Sequence, residues 1–247
     1  MTSKVETFRA LHVPGDPLVL YNIWDAGSAR VVAGTGARAI ATGSYGVAEA
    51  NGFSDGETLP LEIVLENLRR ILTVTDLPVT IDMEAGYGGT PAEVGASVGK
   101  AFAMGAAGIN MEDRLPGETD LLPVAAAAER IAAAAATGIH VNARTDVYLG
   151  VDPADYSRDL IDAVLDRASA YAQAGAGSLF VPFLGDHPTI AAICKASPLP
   201  VNVLWAPGRG SVAELADLGV ARISYGHQPW SWAMEKLAAD ARAIHAG

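Results

Sequence analysis

Cysteine is nearly missing from this chain. Cys194 is the only one among 247 residues, so no intrachain disulfide framework and no cysteine-based zinc site can be built. It sits in TIAAICKAS, which reads as an outer helix, where a lone thiol packs as a small hydrophobe. Basic residues are scarce as well. Lys and Arg number 17 against 28 Asp and Glu, a formal net charge of -11. No Lys/Arg cluster marks a basic face, which argues against a nucleic-acid partner. Long apolar runs are lacking too. No stretch reaches the roughly 18 residues that suggest a membrane span. The nearest, PVAAAAERIAAAAATG, is broken by Glu129 and Arg130 and reads as an Ala-rich amphipathic helix. The first residues, MTSKVETFRALH, hold no apolar core of a signal peptide. The expected location is the cytoplasm, and no membrane partner is expected.

What is present is hydrophobicity with a rhythm. Half of the residues are hydrophobic (50%), enough for a sizeable core. Short apolar runs that read as strands buried on both faces fall at 18–22, 39–42, 79–83, 108–111, 139–143, 178–181, 201–204 and 221–224. Helical patterns lie between and after them at 26–34, 61–75, 92–106, 123–137, 158–174, 187–196, 211–218 and 229–245. Thr90-Pro91 and Ser211 are helix-start signals, and Gly-containing pairs close several helices. About eight strand–helix units in unbroken alternation demand a parallel sheet and favour its closure into a barrel. The expectation is an α/β fold in which residues 1–247 form a single (β/α)₈ TIM barrel. A short helix over 4–11 precedes the first strand.

In such a barrel, chemistry sits where the strands end. Strand 1 runs into Asn22-Ile23-Trp24-Asp25, and strand 2 into Ser44-Tyr45-Gly46. Strand 3 carries Asp82 and Glu84, strand 4 Glu112 and Asp113, and strand 5 Arg144 and Asp146. Strand 7 holds Asn202, and strand 8 leads to His227. Asp82 and Glu84, two apart on one strand, are expected to point to the same side. Glu112 ends the next strand. Three carboxylates at one mouth repel each other unless a cation sits among them. Oxygen-only donors favour Mg²⁺ or Mn²⁺ over zinc. The plainer alternative is that these acids only pair with Arg144. Arg144 itself is a natural fork for a substrate carboxylate, or else an ion-pair partner of Asp146 or Glu112. The glycine-flanked Ser44-Tyr45-Gly46 turn can offer N–H and hydroxyl groups to a carboxylate or oxyanion.

Six motifs in order extend this reading. They are N-x-W-D-x-x-S-A (22–29), S-x-G-V-A (44–48), D-G-E-x-L-P (55–60), D-x-E-x-G-Y-G (82–88), N-x-E-D (110–113) and N-A-R-T-D (142–146). Together they resemble the isocitrate lyase/phosphoenolpyruvate mutase superfamily, in its phosphoenolpyruvate-mutase-like (carboxyphosphonoenolpyruvate-mutase-like) branch. The resemblance covers about residues 7–235. It implies bond making or breaking beside a carbonyl, through a Mg²⁺-stabilised enolate-like species. It implies metal-site acids at Asp82, Glu84 and Glu112. It also implies substrate contacts at Trp24, Ser44, Tyr45, Gly46, Arg144 and Asn202, and an aspartate near the reacting centre at Asp55.

Two departures stand out. The lyases carry a K-K-C-G-H loop after strand 4, where this chain has DRLPGETDLLPV, without Cys, His or Lys and without the gating Asn of the phosphonomutases. The lyases also place a Glu after strand 6, where this chain has Val181-Pro182-Phe183. Both argue against standard isocitrate or methylisocitrate lyase activity. Tyr87, His227 and Asp55 are then the proton-donor candidates, and His140 reads as structural. The expected function is a Mg²⁺-dependent C–C lyase, decarboxylase or hydrolase acting on a small 2-oxo or 2-hydroxy carboxylate. The alternatives are a phosphonomutase and a non-catalytic metabolite binder that lost the acid/base loop. A mutase needs extra cations for its phosphoryl group, and Arg114, Arg144 and Arg209 are the few near strand ends. Trp230, Trp232, Met234 and Leu237 on the final helix point to a homodimer or homotetramer.

Overall fold

The computed structural model describes residues 3–246. Its eight strands are β1 (Leu18–Leu20), β2 (Ile40–Ala41), β3 (Val79–Asp82), β4 (Gly108–Glu112), β5 (His140–Arg144), β6 (Ser178–Val181), β7 (Val201–Leu204) and β8 (Arg222–Ser224). All pair in parallel, in the order β1-β8-β7-β6-β5-β4-β3-β2. The seam between β1 and β2 is closed by a parallel bridge, Ile23 with Thr42. Ile23 N donates to Ala41 O at 2.8 Å, and Gly43 N donates to Ile23 O at 3.2 Å. This is the (β/α)₈ barrel expected from the alternation.

The helices are α1 (Lys4–Ala10), α2 (Ala26–Ala33), α3 (Ser44–Ala50), α4 (Leu61–Leu72), α5 (Pro91–Met104), α6 (Val124–Ala135), α7 (Arg158–Gln173), α8 (His187–Ala196), α9 (Val212–Asp217) and α10 (Gln228–His245). Start signals act as the sequence implied. Thr90 and Ser211 each form a capping box with the glutamate three residues on, Glu93 and Glu214. One helix was not foreseen. The Ser44-Tyr45-Gly46 turn opens α3, a short helix with Gly43 as its N-cap. Gly46 packs tightly there, because a Cβ would come within 3.2 Å of Trp230 Cβ and 3.4 Å of Trp24 Cβ.

Strand alternation divides the core in two. Ile109, Val141, Leu179, Val203 and Ile223 join the main cluster between strands and helices. The intervening positions Asn110, Asn142, Ser178, Asn202 and Arg222 are buried polar residues that bond to one another or to Ser224 across the barrel interior. TIM-barrel interiors are usually filled by Val, Ile and Leu, so this polar filling is a property of this chain. Phe8 of α1 is fully buried in a second cluster with Leu18, Leu20, Ala39, Ala41 and Ala107. It packs so close to β4 that a Cβ at Gly108 would meet its ring at 2.6 Å.

Candidate active site

The register sets the central charges side by side. Glu112 and Arg144 are direct partners across β4 and β5, and Arg144 Nη1 lies 2.8 Å from Glu112 Oε2. Arg144 also forks onto Asp146, Nε to Oδ1 at 2.6 Å and Nη2 to Oδ2 at 2.9 Å. Asp146 receives Arg114 Nη2 at 3.0 Å as well. Its backbone N–H donates to Asp113 Oδ1 at 3.1 Å. Asp113 is in turn held by Arg167 at 3.0 Å and the Tyr171 hydroxyl at 2.7 Å, both on α7. Arg144 is therefore rigidly seated. A guanidinium has five N–H donors, and these contacts leave two for a ligand.

Glu84 departs from the expected geometry. β3 ends at Asp82, so strand alternation does not aim Glu84. Its backbone is left-handed, with φ 47°. The other non-glycine residues with positive φ among those described are Glu57 at 54° and Tyr87 at 50°. Such residues cost about 1–3 kcal/mol each and persist where surroundings hold them. Here they hold one another. Glu57 N donates to Glu84 Oε2 at 2.7 Å, and Tyr87 N donates to Glu57 Oε1 at 2.9 Å. Arg130 braces the same loop, donating to Ala85 O at 2.7 Å and Gly88 O at 2.8 Å. Gly88 is obligatory, because a Cβ there would lie 2.6 Å from Val94 N.

Above these residues lies a cavity of about 150 Å³, lined by Ser44, Tyr45, Asp55, Asp82, Asn110, Arg144, Phe183, Ser224 and His227 among others. A second, outer space of about 330 Å³ shares Ser44, Asp55 and Arg144 and adds Glu84, Glu112, Arg114 and Glu118. Pockets for drug-sized ligands run to about 300–1,000 Å³, so the inner cavity suits a small molecule.

Burial drives the electrostatics. It pushes the Asp82 carboxyl upward, opposed by Arg144 and assisted by Asp55. Glu84 rises to about 8 through burial, then through Asp82 and Asp55. Glu112 rises to about 7 because burial outweighs the Arg144 charge. Crowded buried carboxylates of this kind call for a proton or a cation. As donors they fit Mg²⁺ or Mn²⁺. Among the described residues no three acid, histidine or cysteine side chains converge closely enough to enclose a metal alone. Glu84 is turned to Glu57 N, and Glu112 to Arg144. A hard cation held by this set would keep several of its waters.

The other expected site residues divide. Ser44, Tyr45, Asp55 and Arg144 meet at the cavity, with His227 at its lip, its ring 5.8 Å from that of Tyr45. Trp24 does not line it. Its ring packs edge-on against Trp230 at 5.2 Å. Gly46 is used for the packing of α3. Asn202 is fully buried beneath the floor and donates to Ser224 Oγ at 3.2 Å. Tyr87 lines an adjoining small cleft that shares Ser44 and Asp82 with the cavity. Its hydroxyl lies 3.4 Å from Glu84 Oε1, and burial and that carboxylate push its pKa upward. Cys194 is half-buried, and burial pushes its thiol up to about 12, in keeping with an unreactive packing residue. Glu57 and Glu118 were missed, and Asn110 and Ser224, though at strand ends, were given no role. Asn110 is two residues before Glu112 on one strand, a spacing that places both toward the barrel interior.

A family model for phosphoenolpyruvate phosphomutase matches residues 8–245. The chain belongs to the phosphoenolpyruvate phosphomutase family. It is 48% identical to a Burkholderia cenocepacia protein whose crystal structure is provisionally assigned as a phosphonomutase, with a TM-score of 0.94 over 99% of this chain and 98% of that one. An oxaloacetate decarboxylase of Paraburkholderia xenovorans is 30% identical over 244 residues, 94% of this chain and 79% of that protein. Phosphonopyruvate hydrolase, solved with oxalate and Mg²⁺, shares the fold at 22% identity and a TM-score of 0.85, covering 100% of this chain and 89% of that one. The resemblance drawn from the six motifs holds, and membership of this mutase family, with a decarboxylase among its relatives, makes the chain an enzyme. Among its described residues no helix is long and apolar enough to cross a membrane.

Proposed function

We propose that this phosphoenolpyruvate phosphomutase family member is a Mg²⁺-dependent enzyme that acts on a small 2-oxo or 2-hydroxy carboxylate. The reaction breaks a bond beside the carbonyl through an enolate-like species. The observation that carries this reading is the pair of adjoining cavities at the strand ends, where Asp55, Asp82, Glu84 and Glu112 group around Arg144, with Arg114 on the outer side. Asp82, Glu84 and Glu112 would hold the metal, whose chemistry is Lewis-acid stabilisation of negative charge on a neighbouring oxygen.

The chain's own residues supply the rest. The two free N–H groups of Arg144 bind the substrate carboxylate, and the forked ion pair with Asp146 fixes their direction. Ser44 and Tyr45 line the same cavity. The guanidinium carbon lies over the Phe183 ring, 5.6 Å from its centre. Asp55 and His227, on the same cavity, are placed to move a proton. Arg144 is the only Lys or Arg lining the inner cavity. A migrating phosphoryl group draws on several cationic contacts besides a metal, and the few arginines here, Arg144 and the outer Arg114, favour carboxylate chemistry over a phosphonomutase reaction.

Turnover followed by proton and phosphorus NMR tests the assignment, with oxaloacetate, methylisocitrate and phosphonopyruvate offered separately in Mg²⁺. Release of a smaller 2-oxo acid from a carboxylate substrate is the expected result. Rearrangement of phosphonopyruvate with no reaction of the other two would replace this reading with the phosphonomutase one.

A further inference from the structure

The cavity floor is a chain of buried polar groups whose hydrogen-bond directions are dictated from one end. Arg222 of β8 is fully buried, and its acceptors are neutral. Nε donates to Ser224 Oγ at 3.3 Å, and Nη2 donates to Asn110 Oδ1 at 3.0 Å. A guanidinium cannot accept a hydrogen bond, so the Asn110 atom facing it must be the carbonyl oxygen. That oxygen also accepts from Asn142 Nδ2 at 2.8 Å. Asn142 then turns its own oxygen to the Ser178 hydroxyl, 2.6 Å away. Ser178 has given its proton, so His140 Nε2, at 3.0 Å, is the donor to Ser178 Oγ.

These links are set by the guanidinium; Arg222 Nη1 and His140 Nδ1 stay buried without a partner among the described residues, while one donor faces the cavity. The Asn110 amide nitrogen donates to no protein acceptor among the described residues, and Asn110 lines the inner cavity. Its N–H groups are the part of the side chain that can face a ligand. A flipped amide would set N–H against guanidinium and a carbonyl oxygen against an anionic ligand, two repulsive contacts at once.

We propose that Asn110 is a substrate-binding residue whose amide N–H donates from the cavity floor to a carboxylate or 2-oxo oxygen, and that Arg222 is a positioning residue that holds the amide in that orientation. The inference rests on the 2-oxo acid reading above. It adds a contact opposite Arg144, so that the ligand is gripped from floor and wall. The Asn110 donor also selects for an oxygen at the buried end of the ligand, where a methyl group would leave the N–H unpaired.

Calorimetric titration with oxalate at saturating Mg²⁺ tests this on wild type, N110A, N110D, R222M and N110A/R222M. N110A should weaken oxalate by about 10- to 100-fold, the range for one hydrogen bond to a charged group. N110D keeps the shape but turns a carboxylate oxygen toward the ligand, so it should weaken oxalate further. It should also melt no lower than wild type, because Arg222 gains a counter-charge. That combination of lost binding and kept stability is one a structural role does not produce. R222M should weaken oxalate in the wild-type background and add little in N110A, since it acts through that amide. Wild-type binding with N110A and N110D unchanged would overturn the Asn110 assignment alone. Equal R222M losses in both backgrounds would overturn the role of Arg222. Should R222M not fold, the N110A and N110D titrations still decide the Asn110 contact. Failure of wild type to bind oxalate would bring down the functional reading and this inference with it.

Discussion

Replacing Glu84 by glutamine removes one negative charge from the crowd it forms with Asp82, Asp55 and Glu112. Without metal, the Glu84 carboxyl lies at about 8, against an ordinary 4.5, mainly because it is buried and faces Asp82. A group that holds its proton more tightly when folded favours folding below its unfolded pKa. That contribution is lost as pH rises through the folded value. The window here runs from about 4.5 to about 8, and Glu112, at about 7, adds to it. Metal-free wild type should therefore lose stability between pH 5 and 8.5, by an amount on the order of a few kcal/mol. Glutamine keeps an acceptor for the Glu57 N–H, which donates to Glu84 at 2.7 Å, and has no charge to bury. E84Q should flatten the slope and melt higher than wild type at pH 8.5, at roughly 2–4 °C per kcal/mol for a chain of this size. Melting curves by circular dichroism in chelator, at half-unit pH steps, read this directly. Equal slopes in the two proteins, or a wild type that gains stability from pH 5 to 8.5, would refute the reasoning.

Arg144→Ala should weaken oxalate by about 2–5 kcal/mol, and Arg144→Lys should lose nearly as much, since lysine lacks the planar fork; titration calorimetry reads both. The fold should survive each change because Arg114 still pairs with Asp146, and a fully folded R144A that binds oxalate like wild type contradicts the clamp. Gly88→Ala forces a Cβ against Val94 N, so urea unfolding should show a loss of about 1–3 kcal/mol or more, and an unchanged midpoint would dismiss the close approach. Leu237 and Ile244 of α10 are 61% and 76% exposed. Light scattering at micromolar concentration should find a dimer or tetramer, and a monomer would refute assembly through that helix.

The barrel was legible because its signals are local and repeated. Eight apolar runs alternate with capped helices, and each pairing follows from parallel βα connectivity. The charged cluster was legible in part. Asp82, Glu112 and Arg144 end adjacent strands, and strand ends are where a barrel gathers its side chains. Glu84 shares a cleft with Asp82, but its orientation comes from a left-handed backbone held by Glu57 and Arg130, both distant in sequence, and not from strand alternation. Trp24 lies in a family-like motif and Asn202 at a strand the resemblance marked, yet Trp24 packs on Trp230 of α10 and Asn202 is fully buried and bonded to Ser224. Asn110 was hidden for a different reason. Its role depends on which end of its amide faces up, and that is fixed by Arg222, 112 residues away. An arginine inside an otherwise apolar strand, ARIS, was the available signal.

The most direct test of the central claim is the coupling between metal and acid. Oxalate is titrated into chelator-stripped protein with and without Mg²⁺, and Mg²⁺ is titrated with and without oxalate. The account predicts that each ligand tightens the other by the same factor, tenfold or more, as linkage requires of two ligands sharing a site. Oxalate binding equally well in chelator, or no binding of either ligand, would contradict a metal-assisted 2-oxo acid site at Asp82, Glu84, Glu112 and Arg144.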